Sequence, residues 1–190
     1  MKILNDYEID KSTLFLRRLE DSGVENIVRD IIADVAKSGD DALLKYAKRF
    51  DRAELTSLET TQEEMDEALN SMPADLLAAM QTAAENIRAF HSMQLREGFR
   101  IERPDGAYMG QKITPIEKVG LYIPGGTASY PSTVFMNAIP AKLAGCSLIV
   151  MVSPPNESGN IAAPILAAAK LAGVDRVFKA GGAQAVAAQA

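Results

Sequence analysis

The sequence predicts an α/β protein in which a helical amino-terminal segment and a β-hairpin lead into a parallel, doubly wound sheet. The texture changes near Phe99, where helix-period segments give way to short alternating runs. A regular order follows, in which "VGLYIP", "SLIVMVSP" and "RVFKA" are strand-length and "STVFMNAIPAKLAG" and "IAAPILAAAKLAG" are helix-length. Glycine pairs stand after the first and third strand-length runs, Gly125–Gly126 and Gly181–Gly182, where the loops of a parallel sheet collect at one edge.

Taken in order, Val24, Ile27, Val28, Ile31, Ile32 and Val35 recur at helical spacing and predict an amphipathic helix. "SGD" at residues 38–40 closes it and opens "DALLKYAKRF", whose polar face holds Lys45, Lys48 and Arg49. Thr61 followed three residues later by Glu64 is a capping-box signature for a third helix. Pro73 stands where a fourth begins, and the following pattern through Gln94 is the longest in the chain. "FRIER" and "AYMGQKITPI", joined by Pro104, Asp105 and Gly106, predict a hairpin, since proline presets φ and glycine accepts positive φ. Pro140 and Pro164 fall within the two later helical runs and blur their limits. The closing "AQAVAAQA" is an unfinished helix, and the expectation is that the chain is the amino-terminal part of something longer.

Composition narrows the function. The 190 residues are 47% apolar, enough for a core, and carry a formal charge of −5. From Gly120 onward the net charge is +2, leaving −7 before it in mixed-sign helical faces, so nucleic acid is not an expected partner. Cys146 is the only cysteine, which excludes a disulfide framework and fits a reducing compartment; its apolar neighbours predict burial. The start has no secretory pattern and no run is long enough to span a bilayer, so the expected location is cytoplasmic, with no membrane partner.

The chemistry centres on the glycine pairs. Both belong to loops at the carboxyl edge of one sheet, where backbone N–H groups and helix dipoles favour phosphates and carboxylates. Tyr122 beside the first pair offers a ring for stacking, and Gln184 beside the second offers a donor and an acceptor. The plain alternative is that Tyr122 is an ordinary strand aromatic and Gln184 faces water. No GxGxxG and no GxxxxGK[ST] occurs, so a nucleotide would need an unusual loop. His91 is the only histidine and reads as structural, and Glu157 and Asp175 read as surface-loop residues. These residues supply no general base, nucleophile or metal cage.

"VGLYIPGGTASYPSTVFMNAIPAKLAG", "SPP" at residues 153–155 and "VFKAGGAQAVAA" together closely resemble the NAD-binding part of the histidinol dehydrogenase family, and "SGDDALLKYAKRFD" and "NIRAFHSMQ" resemble that family's amino-terminal helices. The resemblance implies a zinc-dependent, two-step oxidation of L-histidinol to L-histidine by NAD, through an aldehyde held on the enzyme. It implies an aldehyde-dehydrogenase-like fold with Rossmann-type sheets and an intertwined homodimer. Residues 1–115 would form part of the first domain and residues 116–190 part of the NAD-binding domain. Tyr122 and Gln184 match the family's cofactor contacts. Its zinc ligands, histidinol contacts and Glu-His proton-transfer pair would lie beyond Ala190, so no catalytic or metal residue is expected within the chain, and the chain alone is expected to be inactive. Two other classes compete: a non-catalytic binding or assembly module, and an aldehyde dehydrogenase relative, for which Cys146 is badly placed as nucleophile.

Overall fold

The computed structural model describes residues 23–125 and 129–190. The opening helices are α1, Val24–Ser38, and α2, Asp40–Tyr46, which runs into a π-helical turn, Ala47–Asp51. Gly39 at φ 52° separates the first two, as "SGD" anticipates. The expected apolar stripe of α1 is only partly covered. Ile31 and Val35 are buried against α2 and a late helix, whereas Val24, Ile27 and Ile32 remain exposed.

A two-residue strand, β1, Glu59–Thr60, comes next and is too short to show alternation in the sequence. It precedes α3, Gln62–Asn70, whose capping box forms as expected: the Glu64 N–H donates to Thr61 Oγ1 at 3.1 Å, and the Thr61 N–H to Glu64 Oε2 at 2.6 Å. Pro73 precedes α4, Ala74–Ser92. The hairpin consists of β2, Phe99–Glu102, and β3, Tyr108–Gln111, with Gly106 at φ 84° in its turn and Asp105 accepting the Ala107 N–H.

The remainder alternates as predicted: β4 Lys118–Tyr122, α5 Pro131–Ala144, β5 Leu148–Ser153, α6 Ala163–Ala172, β6 Arg176–Lys179 and α7 Gly182–Gln189. Pro164 falls in the first turn of α6, where a missing N–H costs nothing, while Pro140 lies inside α5. The sheet order is β1-β6-β5-β4, with β4, β5 and β6 parallel and β1 antiparallel at the edge. Leu121, Ile149, Met151 and Val177 point to one face, beneath α5 and α6. Helices α3 and α4 close that core from outside, which is why Ala167, Ala168 and Ala169 of α6 are all fully buried. Val152 and Phe178 point to the other face, toward α7, and α1 packs on α7 in turn.

Several ion pairs tie distant segments, and two of them are partly buried. Asp175 is half-buried and accepts Lys142 Nζ at 2.9 and 3.0 Å and the Ile149 N–H at 2.7 Å, so it is a clasp at the amino edge of the sheet rather than the surface-loop residue its sequence position suggests. Glu64 Oε1 accepts Lys179 Nζ at 2.6 Å, joining the start of α3 to the end of β6. Burial pushes both carboxyls up, but the ammonium partners and backbone N–H donors outweigh it, so each titrates below its ordinary range. Among the described residues no helix is long and apolar enough to cross a membrane.

A carboxyl whose folded pKa is depressed stabilises the fold fully above its unfolded value, about pH 4, and ceases to do so as pH falls through the folded value. The thermal midpoint should therefore drop below about pH 4, and Asp175→Asn should flatten that drop. Glu64→Ala removes a cap and an ion pair together and should cost about 2 kcal/mol at neutral pH in denaturant unfolding.

Candidate functional site

The three parallel strands deliver their loops to one edge: Ile123–Gly125 after β4, Pro154–Pro155 after β5 and Ala180–Gly181 after β6. The two glycine loops are not neighbours in the sheet, because β5 separates them. The loop of β5 fills the gap. A Cβ on Gly125 would lie 2.6 Å from Pro154 Cγ, and one on Gly181 would lie 2.6 Å from Pro154 Cβ. Gly126 falls outside the described residues.

Tyr122 projects to the α7 face of β4 and its hydroxyl accepts the Gly182 N–H at 3.0 Å. Thus the first and third loops are bonded across the end of β5, and one of the free N–H groups at the start of α7 is satisfied. With a lone pair so engaged, the O–H stays available to donate. Tyr122 is 38% exposed, so it is not the packed strand aromatic of the plain alternative. At its far end α7 is held to the same strand, where Gln189 Nε2 donates to the Leu121 carbonyl at 3.4 Å and its amide lies over Gly120.

Gln184 does not face water. It is 3% exposed and folds back onto Gly182, where a Cβ would meet its Oε1 at 2.6 Å. Gly182 itself has φ 64°, a conformation that favours glycine, and a Cβ there would also have to displace the Gln184 amide. No other described residue hydrogen-bonds the Gln184 amide. Ser153, at the end of β5, is similarly buried with its hydroxyl unpartnered among the described residues, and lines a cleft of about 210 Å³ with Pro124, Gly125, Pro154, Pro155 and Asn160. The polar atoms of Gln184 and Ser153 still reach solvent, since the fully buried, unpartnered side-chain atoms among the described residues are Asp51 Oδ2 in the π-helical turn and Thr60 Oγ1 in β1; two unengaged polar side chains at a sheet's carboxyl edge are groups that a polar ligand could bond. Sequence reasoning did not single out Ser153; the quoted "SPP" was its only signal. A larger cavity, about 370 Å³, lies between α2, α7 and the sheet; it is walled by Leu43, Leu58, Val150 and Phe178 and reaches Ala180 of the third loop.

The remaining candidates stand apart. His91 Nδ1 is 2.7 Å from Gln94 Oε1 and its ring meets Phe90 edge-on, a structural role. Cys146 is buried in the α5–β5 connection. Among the described residues no group of three His, Cys, Asp or Glu is placed to hold a metal ion.

Residues 16–190 match the family model described as histidinol dehydrogenase. The chain is similar to the histidinol dehydrogenase of Geobacillus kaustophilus (strain HTA426), 51% identical over 178 residues, which is 92% of this chain and 42% of that protein. Against that of Clostridium acetobutylicum it is 44% identical over 195 aligned positions, covering 100% of this chain and 45% of the relative. The crystal structure of histidinol dehydrogenase from Elizabethkingia anophelis superposes with a TM-score of 0.83 at 42% identity, covering 87% of this chain and 38% of that one. The chain thus spans about four tenths of the length of the curated relatives it matches.

Tyr122→Phe should destabilise the fold by about 1 kcal/mol, the worth of one hydrogen bond to a helix N–H, and should speed hydrogen exchange of the Gly182 amide. Gly182→Ala should cost more, about 2 kcal/mol, since strain and overlap add. Equal thermal midpoints for both variants and the unsubstituted chain would show that the two loops are not coupled.

Proposed function

This chain belongs to the histidinol dehydrogenase family, and from that membership we propose that it supplies the NAD-binding edge of an enzyme that oxidises L-histidinol to L-histidine through histidinaldehyde. The Gln184 side chain, 3% exposed and bonded to no described residue, carries the proposal. Gln184 would bond the cofactor as donor and acceptor, and the Tyr122 hydroxyl, already accepting from Gly182, would donate to it. Gly182 fits this role because its missing side chain makes room for Gln184. NAD, when bound, is the hydride acceptor. The chain's own contribution is to hold and orient it.

The family reading also implies zinc. The described residues do not fit that ion, since no three ligating side chains converge and His91 is engaged by Gln94, so no step is assigned to a metal on this chain. In this reading the sheet is Rossmann-type within an aldehyde-dehydrogenase-like fold, with residues 1–115 assigned to the first domain and residues 116–190 to the NAD-binding domain. The complete enzyme would be a cytoplasmic homodimer. The exposed Phe99, Ile101, Tyr108 and Met109 of the hairpin favour a second reading, a non-catalytic assembly module, which leaves Gln184 unexplained.

NADH fluorescence titration tests the proposal. Gln184→Ala in the protein that carries this chain should weaken binding about tenfold, and Gln184→Glu should weaken it further, because a carboxylate repels the pyrophosphate. Unchanged affinity in both would overturn it. The purified 190-residue chain should form no NADH from histidinol; turnover comparable to an intact relative would refute that part.

A further inference from the structure

We propose that Pro154 is a positioning residue for the cofactor: a rigid wedge that sets the separation of the loops bearing Tyr122 and Gln184, with Gly125 and Gly181 present to admit it. This rests on the reading of the carboxyl edge as the NAD crevice. It assigns to these two glycines a task different from close backbone approach to a dinucleotide.

The geometry is specific to atoms. A Cβ on Gly125 would lie 2.6 Å from Pro154 Cγ, 3.2 Å from its Cδ and 3.2 Å from its carbonyl oxygen. A Cβ on Gly181 would lie 2.6 Å from Pro154 Cβ, 3.2 Å from its Cγ and 3.3 Å from its Cα. The ring therefore occupies the Cβ position of Gly125 chiefly with Cγ and Cδ, and that of Gly181 chiefly with Cβ, with Cγ next nearest. Neither glycine is required by backbone conformation, since neither has positive φ, in contrast to Gly182 at φ 64°. Space alone explains them. A pyrrolidine ring is fixed at φ and has no rotamer to escape into, so an added methyl on either side must displace a loop. Tyr122 sits three residues before one contact, Gln184 three after the other, and the Tyr122–Gly182 bond closes the frame above β5. Moving either loop thus moves a proposed cofactor contact.

The test is a set of double-mutant cycles in the protein that carries this chain, read by NADH affinity and by thermal midpoint. Gly125→Ala and Gly181→Ala should each weaken NADH binding about tenfold. Pro154→Ala removes Cγ and Cδ but keeps Cβ, so it should restore Gly125→Ala to within about threefold and leave Gly181→Ala impaired. Pro154→Gly removes all three carbons and should restore both. Rescue of both by Pro154→Ala, or of neither by Pro154→Gly, overturns the wedge. If a single glycine variant fails to fold, recovery of soluble protein in the double variant is read in the same pattern. If the unsubstituted protein binds no NADH, the cofactor reading falls, and the midpoints alone decide: the selective rescue upholds the wedge and its absence overturns it.

Discussion

Strand β5 sets the terms for the whole fold. It is hydrogen-bonded on both sides, by β4 and β6, and apolar on both faces, with Ile149 and Met151 pointing one way and Val150 and Val152 the other. Such a strand is stable only if both faces are covered, and its parallel neighbours can be reached only by crossovers. Helices α5 and α6 provide both crossovers and cover one face; α7 then passes to the opposite one. Everything placed at the carboxyl edge follows from this, because parallel strands leave the sheet on the same side.

At that edge, three glycines that look alike in the sequence do different things. Gly182 is held by conformation and by the Gln184 amide, whereas Gly125 and Gly181 are held by the Pro154 ring. The polar chemistry lies next to them rather than on them. Tyr122 accepts from the backbone at the start of α7, and Gln184 and Ser153 are buried with polar atoms unpartnered by the described residues. The interlock fixes the shape of this edge without a ligand, and in the proposed reading that lowers the ordering cost of binding.

Local signals were the legible part of the sequence. The capping box at Thr61 and Glu64, the Pro104–Gly106 turn and the strand and helix alternation after Lys118 each depend on residues close together in the chain, and each stands as expected. What was not legible depends on partners far away. Two residues of β1 carry no period, and only Val177 and Phe178 make them a strand. Asp175 looks like a loop carboxylate until Lys142 and the Ile149 N–H are seen around it. Gln184 and Tyr122 were identifiable by type and by the family resemblance, but the bond to Gly182 and the burial of Gln184 arise only when β4 and β6 flank β5. The apolar stripe of α1 misled in the other direction, since periodicity reports what a helix can bury and not what is present to cover it.

The pairing of β1 with β6 has a kinetic consequence. Arg176 and Glu59 are 117 residues apart, and Lys179 reaches back 115 residues to the cap of α3. During synthesis the amino-terminal helices emerge long before the strand that anchors them exists, while the α5 and α6 crossovers close over short distances. The later half of the chain is therefore the template and the earlier half the late arrival. A nascent polypeptide must keep α1, α2 and α3 from wrong company until β6 is made, and the acidic charge concentrated before Gly120 gives it a repulsive means of doing so.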